Sequence, residues 1–337
     1  MKNKLRVNML SESEFTVKGH GVHTAYIELT AALKKRPDID IAVNTDRPAD
    51  ITHIQTVGFY ALRRLLFGSG KKVVSAHIVP DSFIGSLAMA QYWKPVGRWW
   101  LKFFYGKADL VLAVSKMVQD ELRDDMGLEN VELLYNTIDM SRYHRTTADQ
   151  QKARKQLNIK EDTFVVVGNG QIQPRKRFDV FVQMARELPE IRFIWVGGMP
   201  FKNLAADYKK MQKMVDDAPK NLRVTGVIPL EKVRAYYHVA DVFVLPAEQE
   251  NHPLCVLEAA GSGLPVVLRN IPQYDDTFAD AALMADSDAD FIRIVRELRD
   301  DKTKCAAAGK KSAIIAKRFD SAAGAQRAVD FYRSLLK

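Results

Sequence analysis

Asp241–Leu268 reads DVFVLPAEQENHPLCVLEAAGSGLPVVL, and in these residues the chain spells strand, loop, helix, turn and strand. Asp241–Leu245 is an apolar, β-rich run, and Val266–Leu268 is a second one after the turn Gly263–Pro265. Pro253 suits a first helical position, ahead of the good helix formers Leu254–Ala260. Two carboxylates mark the unit, Glu250 in the loop and Glu258 in the helix. The helix N-terminus and the loop amides lie between them, offering fixed donors to an anion beside two acceptors for hydroxyls. Such a crevice suits a sugar phosphate.

The same alternation continues outward in both directions. On the N-terminal side, strands are expected at Leu5–Leu10, Ile39–Val43, Ile51–Ile54, Lys72–His77, Leu110–Val114 and Val131–Leu134. Helices are expected at Thr24–Lys35, Val57–Phe67, Pro95–Tyr105 and Lys116–Asp125. Asp139–Gln151 lacks a sustained apolar face and reads as a connection. Beyond it, strands fit Thr163–Gly168, Arg192–Gly197, Leu222–Val227 and Ala282–Met284, with helices at Phe178–Leu188, Phe201–Asp216, Leu230–His238 and Ala289–Arg299. The class is α/β: two Rossmann-like, doubly wound domains facing a cleft, over 1–145 and 157–320, with a helix at 321–337 that crosses back to the first domain. A length of 337 residues suits two such domains.

The formal net charge is +9, which fits nucleic acid, an anionic membrane or a phosphorylated substrate. Cys255 and Cys305 stand far apart without metal-type spacing, so a reducing compartment is expected and no metal site is. The pairs Asp124-Asp125 and Asp275-Asp276 read as surface or capping residues. The opening MKNKLRVNML has no long apolar region of the secretory kind, and no stretch reaches the ~18–20 apolar residues of a membrane span. A cytoplasmic protein is expected, meeting a membrane only from the side.

Ligands of open α/β sheets sit beyond the carboxyl ends of the strands, and four stretches fall there. Val17-Lys18-Gly19-His20-Gly21-Val22 follows the first strand, and its glycines allow a backbone to approach a phosphate or sugar. Ser75-Ala76-His77 ends a buried strand, with His77 placed to meet a sugar or an acceptor hydroxyl. Gly168-Asn169-Gly170-Gln171-Ile172-Gln173-Pro174-Arg175-Lys176-Arg177 puts adjacent cations at a strand edge, as a diphosphate requires. The fourth is the Glu250/Glu258 stretch.

Together the four resemble the retaining GT-B glycosyltransferases of family 4. Glu250 and Glu258 reproduce an E-x7-E signature, followed by Leu-Glu-Ala-Ala and Gly-Leu-Pro-Val-Val; Asn136-Thr137-Ile138-Asp139 matches an Asn-x-x-Asp closing the first domain. The resemblance implies that Glu258 binds the nucleotide ribose, and that Glu250 with Asn251, His252, Pro253 and Leu254 holds the donor hexose. It gives Arg175 and Lys176 to the diphosphate, with Gly19, Gly21 and Gln171 close by, and Val227 and Ile228 to the base. His77 would sit beside the reacting sugar, making His77, Glu250 and Lys176 the catalytic set. The donor implied is a UDP-hexose, with no tightly bound cofactor and no resident metal. Asn251-His252-Pro253 replaces the usual Gly-Phe-Gly, and Gln171 replaces an Arg, so the choice among glucose, galactose and mannose stays open.

Within the family, Val7–Ser11, Val17–Val22, His77–Ser82 and Gly170–Lys176 look like bacterial enzymes that add a second hexose to monohexosyl-diacylglycerol, among which Gln171 is ordinary. A lipid acceptor gains independent support from Trp93–Lys107, where Lys94, Arg98 and Lys102 form a ridge at i, i+4 and i+8. Trp99, Trp100, Leu101, Phe103 and Tyr105 flank it, the composition of an interfacial helix. Between Ile51 and Val118 nine basic residues face two acidic ones, so most of the net charge gathers here. The expected partners are therefore a nucleotide-sugar, a glycolipid acceptor and an anionic membrane surface at the inner face of the cell membrane. A soluble sugar, polysaccharide or cell-wall precursor is the alternative acceptor. No nucleic-acid module appears, and nucleic acid is not an expected partner.

Overall fold

The computed structural model describes residues 4–15, 21–80, 90–199 and 207–337. The chain divides into two compact units. The first takes in Ala90–Asp139, Phe319–Lys337 and the described residues before them; the second runs Met140–Arg318.

The first unit alternates β1 (Leu5–Leu10), α1 (Gly21–Lys34), β2 (Ile39–Val43), β3 (Ile51–Ile54), α2 (Phe59–Phe67), β4 (Lys71–Ala76), α3 (Ala90–Tyr105), β5 (Leu110–Ala113), α4 (Lys116–Asp120) and β6 (Val131–Leu133). Its strands lie in the order β2-β1-β3-β4-β5-β6, and every pairing is parallel. β5 (LVLA) is buried at all four positions, as a strand covered on both faces must be. The second unit opens with α5 (Met140–Tyr143) and α6 (Thr147–Leu157), followed by β7 (Val165–Asn169), α7 (Phe178–Glu187), β8 (Arg192–Val196), α8 (Tyr208–Asp216), β9 (Leu222–Val224), α9 (Leu230–Val239), β10 (Val242–Leu245), α10 (Leu254–Gly261), β11 (Val266–Arg269), β12 (Leu283–Ala285), α11 (Asp288–Asp300) and α12 (Lys302–Arg318). Its parallel sheet is ordered β12-β11-β10-β7-β8-β9. From β7 the chain builds outward through β8 and β9, then restarts on the other side with β10. The boundary between β7 and β10 is thus the switch point where open sheets bind ligands.

Three expectations need correction. Asp139–Gln151 is not a plain connection, since α5 and the first turn of α6 take up most of it. Thr146 and Asp149 form a reciprocal capping box, and Arg154 is buried against Asp241 at 3.0 Å, so end chemistry and one ion pair replace an apolar face. Pro95 does not start α3 but stands inside it, at the expense of one helical hydrogen bond. Leu101 and Tyr105 do not flank a surface ridge: both are buried in the core with Phe104, and the Tyr105 hydroxyl donates to the Ile78 carbonyl at 2.7 Å. Part of the expected Phe201–Asp216 helix lies outside the described residues, and α8 accounts for the remainder.

The last helix, α13 (Ser321–Ser334), belongs to the first unit, burying Ala325, Ala328, Val329 and Tyr332 in its core. Ile138 bridges to Asp320, giving its carbonyl to the Ser321 N–H at 2.8 Å and its N–H to Phe319 at 3.1 Å. Gly324 abuts this junction, where a Cβ would lie 2.6 Å from Thr137 Cγ2. Gly324→Val should therefore push α13 off its seat and lower stability by about 1–3 kcal/mol, read as a fall in the denaturant midpoint.

Candidate active site

In the second unit the loops leaving β7 and β10 are joined at the switch point. The Glu248 N–H donates to the Arg175 carbonyl at 2.9 Å, and Arg175 Nη1 donates to the Gln249 carbonyl at 2.9 Å. Lys176 Nζ is hydrogen-bonded to Glu250 Oε1, and Arg175 Nη1 approaches Glu250 Oε2 at 3.6 Å. Lys176 and Glu250 are both buried, so each relies on the other in place of water. Arg177 bonds Glu248, Asp179 and Asp288, fixing the turn that presents its two basic neighbours. The structure thus brings Glu250 of one motif together with Arg175 and Lys176 of another.

The floor beneath this cluster is backbone. Trp195 Nε1 donates to the Gly170 carbonyl at 3.0 Å, and the Ile172 N–H donates to Gly198 at 3.0 Å. Gly197 has a φ of +133°, and a Cβ there would meet the Gly170 oxygen at 2.1 Å, so only glycine fits. Gln171 accepts from Gln173 Nε2 at 2.7 Å. Val227 is exposed and Ile228 half-buried, just past the β9 edge.

Glu258 lies one turn into α10 and is buried by a different device. The Tyr237 hydroxyl donates to Oε2 at 2.6 Å and the Tyr143 hydroxyl to Oε1 at 3.1 Å. Asn169, at the end of β7, donates in turn to the Tyr237 oxygen at 2.6 Å. Burial, together with the Glu258 charge, holds the Tyr237 hydroxyl well above its ordinary pKa, so it stays a donor. Sequence reasoning missed Tyr143 and Tyr237, and gave Asn169 no part in holding Glu258; the Tyr143–Glu258 contact spans 115 positions. Pro253 caps α10 without entering it, and Leu254 is its first residue. The His252 ring is buried against Phe278, 5.2 Å between centroids, and burial lowers its pKa to about 3. Its imidazole is therefore neutral and turned into the interior.

In the first unit His77 follows β4, and its Nε2 lies 3.1 Å from Gln55 Oε1. Gly21 opens α1, whereas Gly19, Asp81 and Ser82 lie outside the described residues. On α3, Lys94 is half-buried, Arg98 and Lys102 are exposed, and Trp99 is 66% exposed and stacked on Phe103 at 5.9 Å. Trp100 and Phe103 are half-buried. Phe59, at the start of α2, is 86% exposed and meets Trp100 at 6.0 Å. Among the described residues no group of His, Cys, Asp and Glu gathers as a metal site, and no helix is long and apolar enough to cross a membrane.

A model of glycosyl transferases group 1 matches residues 149–314, and one of glycosyltransferase family 4 matches residues 20–142. The chain is 34% identical over 279 residues to alpha-galactosylglucosyldiacylglycerol synthase of Streptococcus pneumoniae, covering 81% of this chain and 74% of that protein. It is 24% identical over 317 residues to the processive diacylglycerol alpha-glucosyltransferase of Acholeplasma laidlawii, covering 91% and 92%. Its fold is similar to that of Anabaena HepE in complex with UDP and glucose, with a TM-score of 0.77, 17% identity and 98% and 100% coverage. Sucrose-phosphate synthase of Thermosynechococcus elongatus matches with a TM-score of 0.80, 16% identity and 99% coverage of both chains.

Cys255, in the first turn of α10, reports on the cluster. Burial raises its thiol pKa to about 12; Lys176 lowers it, while Glu250 and Glu258 raise it. A thiolate so disfavoured should react with a disulfide reagent at pH 8 far more slowly than in the unfolded chain. Glu250→Gln removes an opposing anion and frees Lys176, so both effects favour the thiolate. Labelling of Cys255 should then accelerate roughly three- to tenfold, timed by mass spectrometry.

Proposed function

Because the chain belongs to the glycosyltransferases of group 1 and family 4 and has their GT-B fold, we propose that it moves a hexose from a UDP-sugar, glucose or galactose, to a membrane glycolipid such as monohexosyl-diacylglycerol. The observation that carries this reading is the convergence of Arg175, Lys176 and Glu250 at the sheet's switch point, in a chain similar along most of its length to two diacylglycerol glycosyltransferases.

The barrier is cleavage of the bond between sugar and phosphate, through an oxocarbenium-like transition state. Negative charge grows on the departing diphosphate, and cations fixed before the reaction stabilise it without reorganising. We assign that task to Lys176 and Arg175, each already oriented by Glu250 or by the Gln249 carbonyl. Glu250 and the main chain of Asn251–Leu254 take the hexose. His252 serves through its backbone, since its ring is packed on Phe278. Glu258, oriented by the Tyr143 and Tyr237 hydroxyls, is assigned to the ribose hydroxyls, with Val227 and Ile228 beside the base. Gln171 and the glycines Gly19 and Gly21 complete the donor contacts. His77 is assigned to the reacting sugar, and the transfer proceeds with retention. These groups supply the whole site in this reading, with no resident cofactor or metal.

The lipid side rests on the first unit's surface. Phe59, Arg63, Leu66 and Phe67 occupy one face of α2 at i, i+4, i+7 and i+8, and all four are exposed. Phe67 is 82% exposed, and the Phe59–Trp100 contact joins this face to Trp99, Arg98 and Lys102 of α3. Aromatic rings interleaved with cations suit an anionic leaflet, each cation adding about 1 kcal/mol near the surface. A peripheral seat at the cytoplasmic face of the membrane follows.

The deciding experiment offers UDP- and GDP-sugars with diacylglycerol or monohexosyl-diacylglycerol and identifies products by mass. A dihexosyl lipid made from a UDP-hexose supports the proposal; a product formed only on a soluble sugar overturns the acceptor. In the same assay Lys176→Ala should lower kcat about 100- to 1000-fold while the circular dichroism spectrum is preserved. Binding to anionic vesicles should weaken on moving from low to high salt. The triple variant Phe59→Ser, Phe67→Ser, Trp99→Ser should bind them at least tenfold less at either salt, measured by co-sedimentation.

A further inference from the structure

β3 carries a run of buried polar residues where an apolar strand would be expected: Thr52, His53 and, just past its end, Gln55. His53 and Gln55 share a face at i, i+2, and Ser75 and His77 share the corresponding face beside β4. The four side chains link to one another and to the chain's last helix. The Tyr332 hydroxyl lies 2.6 Å from His53 Nδ1; His53 Nε2 lies 2.8 Å from Ser75 Oγ and 2.9 Å from Gln55 Nε2; and Gln55 Oε1 lies 3.1 Å from His77 Nε2. All belong to the first unit.

We propose that Tyr332, His53 and Gln55 are positioning residues that hold His77 in a single orientation and a single tautomer, which makes α13 a working part of the site. The inference rests on the assignment of His77 to the reacting sugar. A neutral imidazole has one N–H, and His53 stays neutral because burial lowers its pKa to about 3. With Gln55 Nε2 donating to His53 Nε2, the His53 proton resides on Nδ1 and points to the Tyr332 oxygen. Gln55 Oε1 then accepts from His77 Nε2–H, leaving His77 Nδ1 as the ring's acceptor nitrogen. Turning the Gln55 amide over reverses every link, so the His53 and His77 tautomers are coupled and change only together. The placement is tight: beside the chain is a cavity of about 20 Å³, with Gln55, Ser75, His77, Asn136, Thr137 and Gly324 among the residues around it. α13 therefore reaches the surroundings of His77 twice, through Tyr332 and through Gly324.

The test uses the full chain with ¹⁵N-labelled imidazoles, His77 being assigned from the signal lost in His77→Gln. At a pH above the titration of His77, found from the same spectra, wild type should show its ring as one tautomer, and both Tyr332→Phe and Gln55→Leu should yield a mixture of the two. In the same variants kcat for glycolipid product should fall about tenfold with KM for the UDP-sugar within twofold, as expected when a group is misaligned and the donor site is untouched. Should Tyr332→Phe fail to fold, Gln55→Leu carries the test alone, because its side chain lies past the strand end. An unchanged His77 spectrum with unchanged kcat overturns the inference. Normal turnover in His77→Gln would instead sink the role given to His77, while the tautomer measurement still decides whether the coupling exists.

Discussion

A carboxylate that cannot reach water must be satisfied by the protein, and Glu250 sets that requirement at the centre of the second unit. Two loops leave the sheet on either side of its switch point, one with adjacent cations and the other with Glu250. Neither charge could be buried alone: removing one partner of such a pair costs roughly 3–5 kcal/mol. The loops are thus obliged to meet, and Lys176 is held where it is before any ligand arrives. Preorganisation of this kind is what stabilising a departing diphosphate requires, since a cation that had to be recruited would give back part of the energy gained.

Glu258 solves the same problem with neutral donors, and the contrast separates two tasks. Paired with tyrosine hydroxyls, which are neutral donors, its carboxylate is met by hydrogen bonds and not by a countercharge. Glu250, paired with Lys176 and Arg175, is largely neutralised and suits a place next to a phosphate, where an unpaired anion would repel. Eight residues apart on one loop and helix, the two carboxylates are made different by what surrounds them.

The β-α alternation, both sheets and the loops that carry Arg175, Lys176, Glu250 and Glu258 were legible because each depends on local sequence: apolar runs, turn residues and a helix start. Contacts made at long range were not. Tyr143 and Tyr237 lie on helices whose sequences give no sign that a hydroxyl will face Glu258. α6 escaped because its stability comes from the capping box of Thr146 and from Arg154 reaching Asp241, leaving no apolar stripe to read. In α3 the aromatic and basic pattern was visible, but its phase was not: Leu101, Phe104 and Tyr105 turn inward while Trp99 turns out. The pattern of His53, Gln55, Ser75 and His77, polar at every second position on neighbouring strands, was in principle readable. It goes against the rule that parallel strands are apolar throughout, and such local violations concentrate at functional positions.

That violation also explains why the chain returns to its first unit at the end. A buried histidine on a central strand needs a partner for each ring nitrogen, and β3 and its neighbour β4 can satisfy only the side facing Ser75 and Gln55. The remaining nitrogen faces the layer above the sheet, where Tyr332 of α13 supplies the hydroxyl. The apolar residues of the helix, Ala325, Ala328 and Val329, provide the burial that keeps that hydrogen bond dry. Packing alone would accept any apolar helix of similar shape there; the requirement for one buried oxygen at one place makes the seat specific. A polar group in the sheet thus fixes which helix covers it and in what register, and the same group passes that constraint on to His77.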